Sequence, residues 1–341
     1  MRSNVKHFYI VAILIVLVTA AVAIALDSVQ LLPQLASAQG VIIDSLFGIH
    51  LYLIAFLFTL VMVFMLYSII VFRRQAGDES DGTHIHGHTT LEIAWTIIPT
   101  IIVAYIGYLG VVTLHSVTAS SPDELTVQVT GMQWSWRFDY PEFGITSPDL
   151  ILPVNKPVRF EITSSDVIHS FWVPEFRMKQ DAVPGAVTLL HVTPNLVGSY
   201  KVRCAEICGL QHATMLADVR VVDHADFRTW AMDEKERLTA SESPDARGAL
   251  LYETQGCKAC HSLDGTVVVG PSWKNIYGSE EQLDNGSTIT VDEVYIRESI
   301  LDPNAKVVQG FSPNVMPSTY RDILSDQDIE DIISYIETLQ Q

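Results

Sequence analysis

The sequence predicts a membrane-anchored, multidomain chain: two or three N-terminal transmembrane α-helices, a β-sandwich or barrel, and a C-terminal all-α domain. Three observations predict it. Long uncharged apolar runs fill the first 115 or so residues. Residues 124–222 change to short alternating runs (LTVQV, VRFEIT, VTLLHV, ADVRVV) separated by Pro, Gly and Asn, the pattern of an antiparallel β-domain. Residues 247–341 then show apolar residues at helical spacing with long loops between them.

The bulk properties agree. A chain of 341 residues has room for two or three domains, and its 48% hydrophobic content is concentrated at the front. A net charge of −18 excludes a nucleic-acid partner and fits a solvated acidic part outside the membrane. The four cysteines, Cys204, Cys208, Cys257 and Cys260, form two close pairs. A disulfide framework would spread its cysteines to close long loops. Close pairs beside histidines point to cofactor ligands instead.

The first apolar run, residues 8–26, is long enough to span a bilayer, and Arg2 and Lys6 before it place its start in the cytoplasm. Ala36-Ser37-Ala38 follows at a distance and matches a signal-peptidase site. Residues 1–38 are therefore either a retained helix or a cleaved signal; a long buried core helix is a third reading. Residues 47–72 form a second span ending in Arg73-Arg74, and residues 91–114 a third that contains Pro99, which membrane helices tolerate. The topology is consistent: in, out, in, out. The division that follows is 1–38, a helical hairpin over 39–115, a β-domain over 116–223, a polar helix end and linker over 224–246, and a helical domain over 247–341. In the last, SDQDIEDIISYIETL opens with Ser325 and carries Asp328 three residues on, a cap-like start.

The most informative stretch is CAEICGLQHATM. Cys204, Cys208, His212 and Met215 offer two thiolates, an imidazole and a thioether within twelve residues. Structural zinc sites use Cys and His and rarely Met. Thiolate, thioether and imidazole together are the ligand set of copper electron-transfer sites. A blue-copper site needs one thiolate; two so close can bridge a pair of coppers. His169, in DVIHSFWVPEF at the end of a strand-like run, is the candidate second imidazole. The alternative is a pair of buried thiols with His212 and Met215 incidental. With every position filled by protein, such a site relays electrons and does not bind oxygen.

CKACH, Cys257 to His261, is the c-type haem attachment pattern, in which both thiols join the haem and His261 supplies an axial ligand. Half a zinc ribbon is the alternative, but no second cysteine pair follows. NVMPSTY further on offers Met316 as the other axial ligand, against a core methionine. Met/His ligation raises the haem potential and suits an electron carrier. From residue 244 onward there are 16 acidic and 6 basic side chains, which would steer a basic donor protein or simply keep the domain soluble.

CAEICGLQHATM, DVIHSFWVPEF, GMQWSWRFDY and LEIAWTIIP together resemble subunit II of haem–copper cytochrome c oxidase, over roughly residues 40–222. The added CKACH segment, with Pro271 placed as in class I cytochromes c, resembles the caa-type oxidases, in which a cytochrome c domain is fused to subunit II. The resemblance implies a cupredoxin-like β-domain holding the dinuclear copper centre Cu-A and a class I cytochrome c fold holding one haem c. It implies that Cys204 and Cys208 bridge the coppers, that His169 and His212 each terminate one, and that Met215 and the main-chain carbonyl of Glu206 are weak ligands. It further implies a magnesium at the Glu206 carboxylate, shared with subunit I. Trp134 would be the surface residue through which electrons reach the copper pair, while Trp136, Phe138 and Tyr140 form one aromatic face of a strand. Glu92, at the inner end of the third span, would stand at the mouth of a proton path, in keeping with the usual meaning of a carboxylate at that depth; an interfacial carboxylate is the alternative. His84, His86 and His88 are a solvated loop or a metal clip.

The implied function is electron relay from a small external donor through haem c and the copper pair to haem a of subunit I, whose haem a3–CuB site reduces oxygen while protons are pumped. Partners are then subunit I, further oxidase subunits, a donor protein or upstream respiratory complex, and membrane lipid. The implied location is the bacterial cytoplasmic membrane, multi-pass, with both soluble domains outside. Two rivals are an electron-transfer subunit for a nitric oxide or nitrous oxide reductase, and a quinol oxidase subunit without metal.

Overall fold

The computed structural model describes residues 2–82, 84–240 and 243–340; Ser241 and Glu242 of the expected linker, and the side chain of Arg2 used above for orientation, lie outside the described residues. The chain divides into two compact units, residues 1–35 with 39–119, and residues 36–38 with 120–341.

The first unit is three helices, α1 (Arg2–Ser28), α2 (Ala38–Val71) and α3 (Thr89–Val117), each long and apolar enough to cross a membrane. Helices α1 and α2 touch near both ends: His7 Nδ1 lies 2.7 Å from the Tyr67 hydroxyl, and the Tyr52 hydroxyl donates to Asp27 at 3.0 Å. Helix α3 runs through Pro99 without ending. At its start the His88 ring accepts from the Leu91 N–H (3.3 Å), and the Glu92 carboxylate accepts from the His88 N–H (3.0 Å). Both satisfy amides that the first turn leaves without helical partners.

The second unit opens with a β-domain of two five-stranded sheets, ordered β3-β2-β1-β5-β8 and β4-β10-β9-β6-β7. In chain order the strands are β1 (Leu125–Met132), β2 (Ser135–Tyr140), β3 (Ile145–Ser147), β4 (Leu150–Pro153), β5 (Val158–Ser164), β6 (His169–Val173), β7 (Met178–Ala182), β8 (Thr188–Val192), β9 (Gly198–Cys204) and β10 (Leu216–Val222). Pairing is mostly antiparallel, but β1 runs parallel to β5 and β4 parallel to β10. Period-two burial in β2, β5, β9 and β10 puts alternate side chains between the sheets. Trp136, Phe138 and Tyr140 form the expected buried aromatic face. Residues 36–38 belong to this domain: the Ala36 and Ala38 N–H groups donate to the carbonyls of Glu175 and Thr193, both at 2.9 Å, and the Ser37 hydroxyl donates to the Phe176 carbonyl at 2.8 Å.

The expected polar linker is corrected in most of its length. Residues His224–Ala240 form a 17-residue helix, α4, with Phe227 and Ala231 buried and Trp230 against Tyr140 at a ring separation of 5.1 Å. Its apolar residues at i, i+3 and i+4 make a narrow stripe that the surrounding charge conceals.

The C-terminal domain comprises α5 (Pro244–Thr254), the strands β11 (Glu280–Gln282) and β12 (Thr288–Thr290), α6 (Glu293–Leu301), α7 (Tyr320–Ile323) and α8 (Asp326–Thr338). The β11–β12 hairpin was not among the sequence expectations; it turns at Asn285-Gly286, with Gly286 at φ 83°. Ser325 and Asp328 form a reciprocal capping box at the start of α8. Helices α5 and α8 cross at Gly248, where no side chain separates them, and Arg247 holds the buried Asp331 carboxylate with two 2.6 Å bonds.

Candidate metal and haem sites

The copper-type residues converge because of strand order. His169 opens β6 and Cys204 closes β9, its antiparallel neighbour, so both sit at the same end of the sheet. Met215 immediately precedes β10, which pairs antiparallel to β9 and so begins at that end too. The intervening loop carries Cys208 and His212 back over the strand ends.

The donor atoms face one another. Cys204 Sγ and Cys208 Sγ are 3.7 Å apart, and Cys204 Sγ lies 3.9 Å from His169 Nδ1. Cys208 Sγ lies 3.6 Å from His212 Nδ1 and 3.7 Å from Met215 Sδ. The Glu206 carbonyl is 3.1 Å from Cys204 Sγ, while its side chain is exposed. Soft metals bind thiolate at about 2.3 Å and imidazole at about 2.0 Å, so donors at these separations fit around shared ions. His169 approaches Cys204, Met215 approaches Cys208, and His212 lies within reach of both thiols. His169 and Met215 are fully buried.

The electrostatics favour metal binding. Burial pushes the Cys204 thiol up, but hydrogen bonds from His169 and contacts with the backbone of Glu206 and Ser170 overcome it and bring it down to about 6. Burial and the neighbouring Cys204 thiolate hold the Cys208 thiol above its ordinary value, so the pair carries one negative charge before the other. A cation between them removes that repulsion. Two residues that sequence reasoning passed over complete the site. Asp166 accepts from His169 Nε2 at 2.8 Å, so that once Nδ1 gives up the proton it shares with Cys204 its lone pair is free for a metal. The Gln133 side chain donates to the Cys208 carbonyl at 2.7 Å. The signal for Asp166 was its position three residues before His169, since ligand imidazoles commonly donate to a carboxylate.

Trp134 is covered, not exposed: 5% of its surface is accessible, and its indole N–H donates to the Cys208 carbonyl at 3.2 Å. The C-terminal domain packs over the β1–β2 hairpin whose turn carries Trp134. A Cβ on Gly256, the residue before Cys257, would lie 2.3 Å from Ser135 Oγ and 3.4 Å from Met132 Sδ. Cys260, Val269 and Val315 pack against the core cluster to which Trp134 belongs.

The haem-type residues also meet. Cys260, His261 and Met316 line two of three adjoining cavities of 100, 30 and 70 Å3, and Cys257 joins them in the second. Trp273, Ile300, Tyr320 and Ile332 make the second cavity apolar. Pro271 has a definite part: its carbonyl takes a 2.8 Å hydrogen bond from His261 Nδ1, leaving Nε2 free as a ligand atom. Burial lowers the His261 pKa and keeps the ring neutral, as metal ligation requires. A Cβ on Gly270 would come within 2.6 Å of the same ring, so only glycine lets the segment pass it. This apolar slot, with two thiols at one edge and imidazole and thioether available, fits a covalently attached haem.

Glu92 lies exposed in the first turn of α3. His84, His86 and His88 are exposed; among the described residues the group with metal-ligand spacing is His169, Cys204 and Cys208.

Spanning helices, a five-donor copper-type site at a strand end and a c-type haem slot packed beside it define a membrane-anchored electron-transfer protein. Family models match in three places: the transmembrane domain of cytochrome c oxidase subunit II over residues 25–111, its periplasmic domain over 145–222, and cytochrome c over 246–340. Cytochrome c oxidase subunit 2 of Thermostichus vulcanus is 35% identical over 276 residues, covering 65% of this chain and 84% of that one. The corresponding protein of Alkalihalophilus pseudofirmus is 32% identical, covering 82% of each. The solved periplasmic domain of subunit II from Bradyrhizobium japonicum is 30% identical and covers 35% of this chain and 98% of that one, with a TM-score of 0.34. The chain belongs to the cytochrome c oxidase subunit II family and carries a fused cytochrome c domain. It is thus an electron-transfer subunit of an oxidase complex, with a copper centre and a haem c, and the other-reductase reading is not favoured.

Proposed function

We propose that this chain takes electrons from a small donor protein at its haem c and delivers them to a dinuclear Cu-A centre. From there they pass to haem a of subunit I, where oxygen is reduced to water and protons are pumped. The observation that carries the reading is the convergence of Cys204, Cys208, His169, His212 and Met215 at one sheet end, with the imidazoles and the thioether gathered around two facing thiols.

Cys257 and Cys260 would hold haem c covalently, with His261 and Met316 as axial ligands. Cys204 and Cys208 would bridge two coppers, with His169 and His212 terminal and Met215 and the Glu206 carbonyl weakly bound. When bound, these groups supply reversible one-electron storage. The chain supplies the rest. The two thiolates would spread the charge change, and His169, buried and held by Asp166, would move little when it occurred. The Trp134 indole joins the hairpin under the haem domain to the Cys208 carbonyl, a short covalent and hydrogen-bonded route. Ile207 and Leu210, 83% and 74% exposed on the copper loop, form an apolar rim suited to a contact with subunit I. The Glu206 carboxylate on that rim would reach the shared magnesium, and Glu92 would admit protons on the opposite, cytoplasmic side. All three helices would anchor the chain in the bacterial cytoplasmic membrane with both soluble domains outside, and fusion would keep the haem domain at high effective concentration.

Purification from membranes in mild detergent tests the assignment. A haem-a subunit should accompany the chain, and the complex should consume oxygen with reduced cytochrome c. Co-purification with nitric oxide or nitrous oxide reduction would instead support the rival.

A further inference from the structure

We propose that Asp166 is a positioning residue that ties the Trp134 turn to the copper ligands, so that the electron-accepting indole and the metal site move as one hydrogen-bonded unit. The proposal rests on the copper reading for its functional consequence, but its geometry stands apart from that reading.

The carboxylate is 6% exposed and faces two ways. One oxygen takes the His169 Nε2–H at 2.8 Å and the Val167 N–H at 2.6 Å. The other takes the backbone N–H of Gln133 at 2.6 Å. Gln133 is the residue before Trp134. The Gln133 carboxamide and the Trp134 indole both donate to a single acceptor, the Cys208 carbonyl, at 2.7 and 3.2 Å. The bonds thus close a ring: Asp166 to the turn, the turn to Cys208, Cys208 to Cys204 across 3.7 Å, Cys204 to His169 across 3.9 Å, and His169 back to Asp166.

Three separate segments meet in that ring: the β1–β2 turn, the loop before β6 and the copper loop. The Asp166 carboxylate joins the first two at Gln133, beside the bond from the Ser165 N–H to the Gly131 carbonyl (3.1 Å) at the end of β1. An ionised acceptor makes each of its bonds shorter and stronger than a neutral one would. It also fixes His169 in the tautomer that presents Nδ1 to the metal, and places a negative charge one imidazole away from it. The same group therefore does two things: it favours the oxidised, more positive metal site, and it holds Trp134 against Cys208.

Asp166→Asn tests this in the full chain. The amide keeps the shape and one acceptor oxygen but removes the charge, and with its oxygen toward His169 it presents NH2 to the Gln133 N–H. In the copper- and haem-loaded protein, the copper reduction equilibrium should shift about tenfold toward the reduced form, about 59 mV for one electron. Transfer from photoreduced haem c to copper should slow about tenfold, while the haem c potential stays unchanged. In metal-free protein, amide exchange in residues 131–135 should rise at least tenfold. Asp166→Glu, which restores the charge, should recover the copper equilibrium at least in part. A variant whose copper potential, transfer rate per bound copper and amide exchange all match wild type overturns the proposal. So does a variant that loses only copper occupancy while potential, transfer rate per bound copper and amide exchange stay at wild type, since the carboxylate would then act on affinity alone. If the wild-type protein binds no copper pair, the functional reading fails, and the amide exchange still decides whether Asp166 ties the turn.

Discussion

Replacing Gly248 with alanine should unseat the helix crossing that supports the haem domain. A Cβ at this position would lie 2.0 Å from the Asp331 carbonyl oxygen, 2.6 Å from its carbon and 2.7 Å from Tyr335 Cβ. Ordinary contact begins at 3.4 Å, so α8 must retreat by about 1.4 Å at that point. The obstacle is backbone and cannot rotate away. Overpacking of this kind costs about 3 kcal/mol at its upper range, and helix propensity returns about 1 kcal/mol in exchanging Gly for Ala. The net is about 2 kcal/mol, which for a domain of this size lowers Tm by roughly 8–16 °C. The retreat also loosens the Arg247–Asp331 pair and shifts Ile332 from the haem slot. Haem absorbance followed against temperature in the loaded protein measures the effect. The copper spectrum should be unaffected, since the contact lies wholly in the haem domain. A haem-domain Tm indistinguishable from wild type would refute the close-crossing argument.

Trp134→Phe keeps an aromatic ring but removes the donor to Cys208; copper should still bind with an unaltered spectrum while haem-to-copper transfer slows about tenfold or more, and an unchanged transient-absorption rate would contradict the route. Burial pushes the Cys257 thiol up to about 12 and the Cys260 thiol up to about 11. The thiolate is the reactive form, so in haem-free protein only about one Cys260 in a thousand is reactive at pH 8, and iodoacetamide labelling should speed up about a hundredfold by pH 10; a plateau near pH 9, read by mass spectrometry, would show the thiols to be ordinary. Ala36–Ala38 is bonded into the β-domain, so peptides spanning Ala38 and Gln39 should be recovered intact from the membrane protein, and a mature N-terminus at Gln39 would contradict that role.

Strong local patterns were the legible part of this chain. Uncharged runs long enough to span a bilayer need no tertiary context, and neither does the alternation in LTVQV or VRFEIT. The donor atoms were legible because soft ligands in close spacing have few other uses. What the sequence hid depends on contacts between distant segments. Helix α4 looked like a linker because Phe227, Trp230 and Ala231 are few among charges, and their value appears only once Tyr140 is beneath them. Trp134 was expected at a surface, but Gly256 and Cys260 belong to a domain that packs onto its hairpin. Gln133 carries no metal-ligand signature and Asp166 only its spacing from His169; their importance comes from a turn that brings residue 133 to residues 166 and 208.

The central claim is that the two thiols share two metal ions. Electron paramagnetic resonance of the oxidised, copper-loaded chain tests it most directly, alongside a metal count. Two coppers per haem iron are expected, with a hyperfine pattern from one unpaired electron shared equally between two copper nuclei. A pattern from a single copper, or a site that accepts zinc alone, would contradict it.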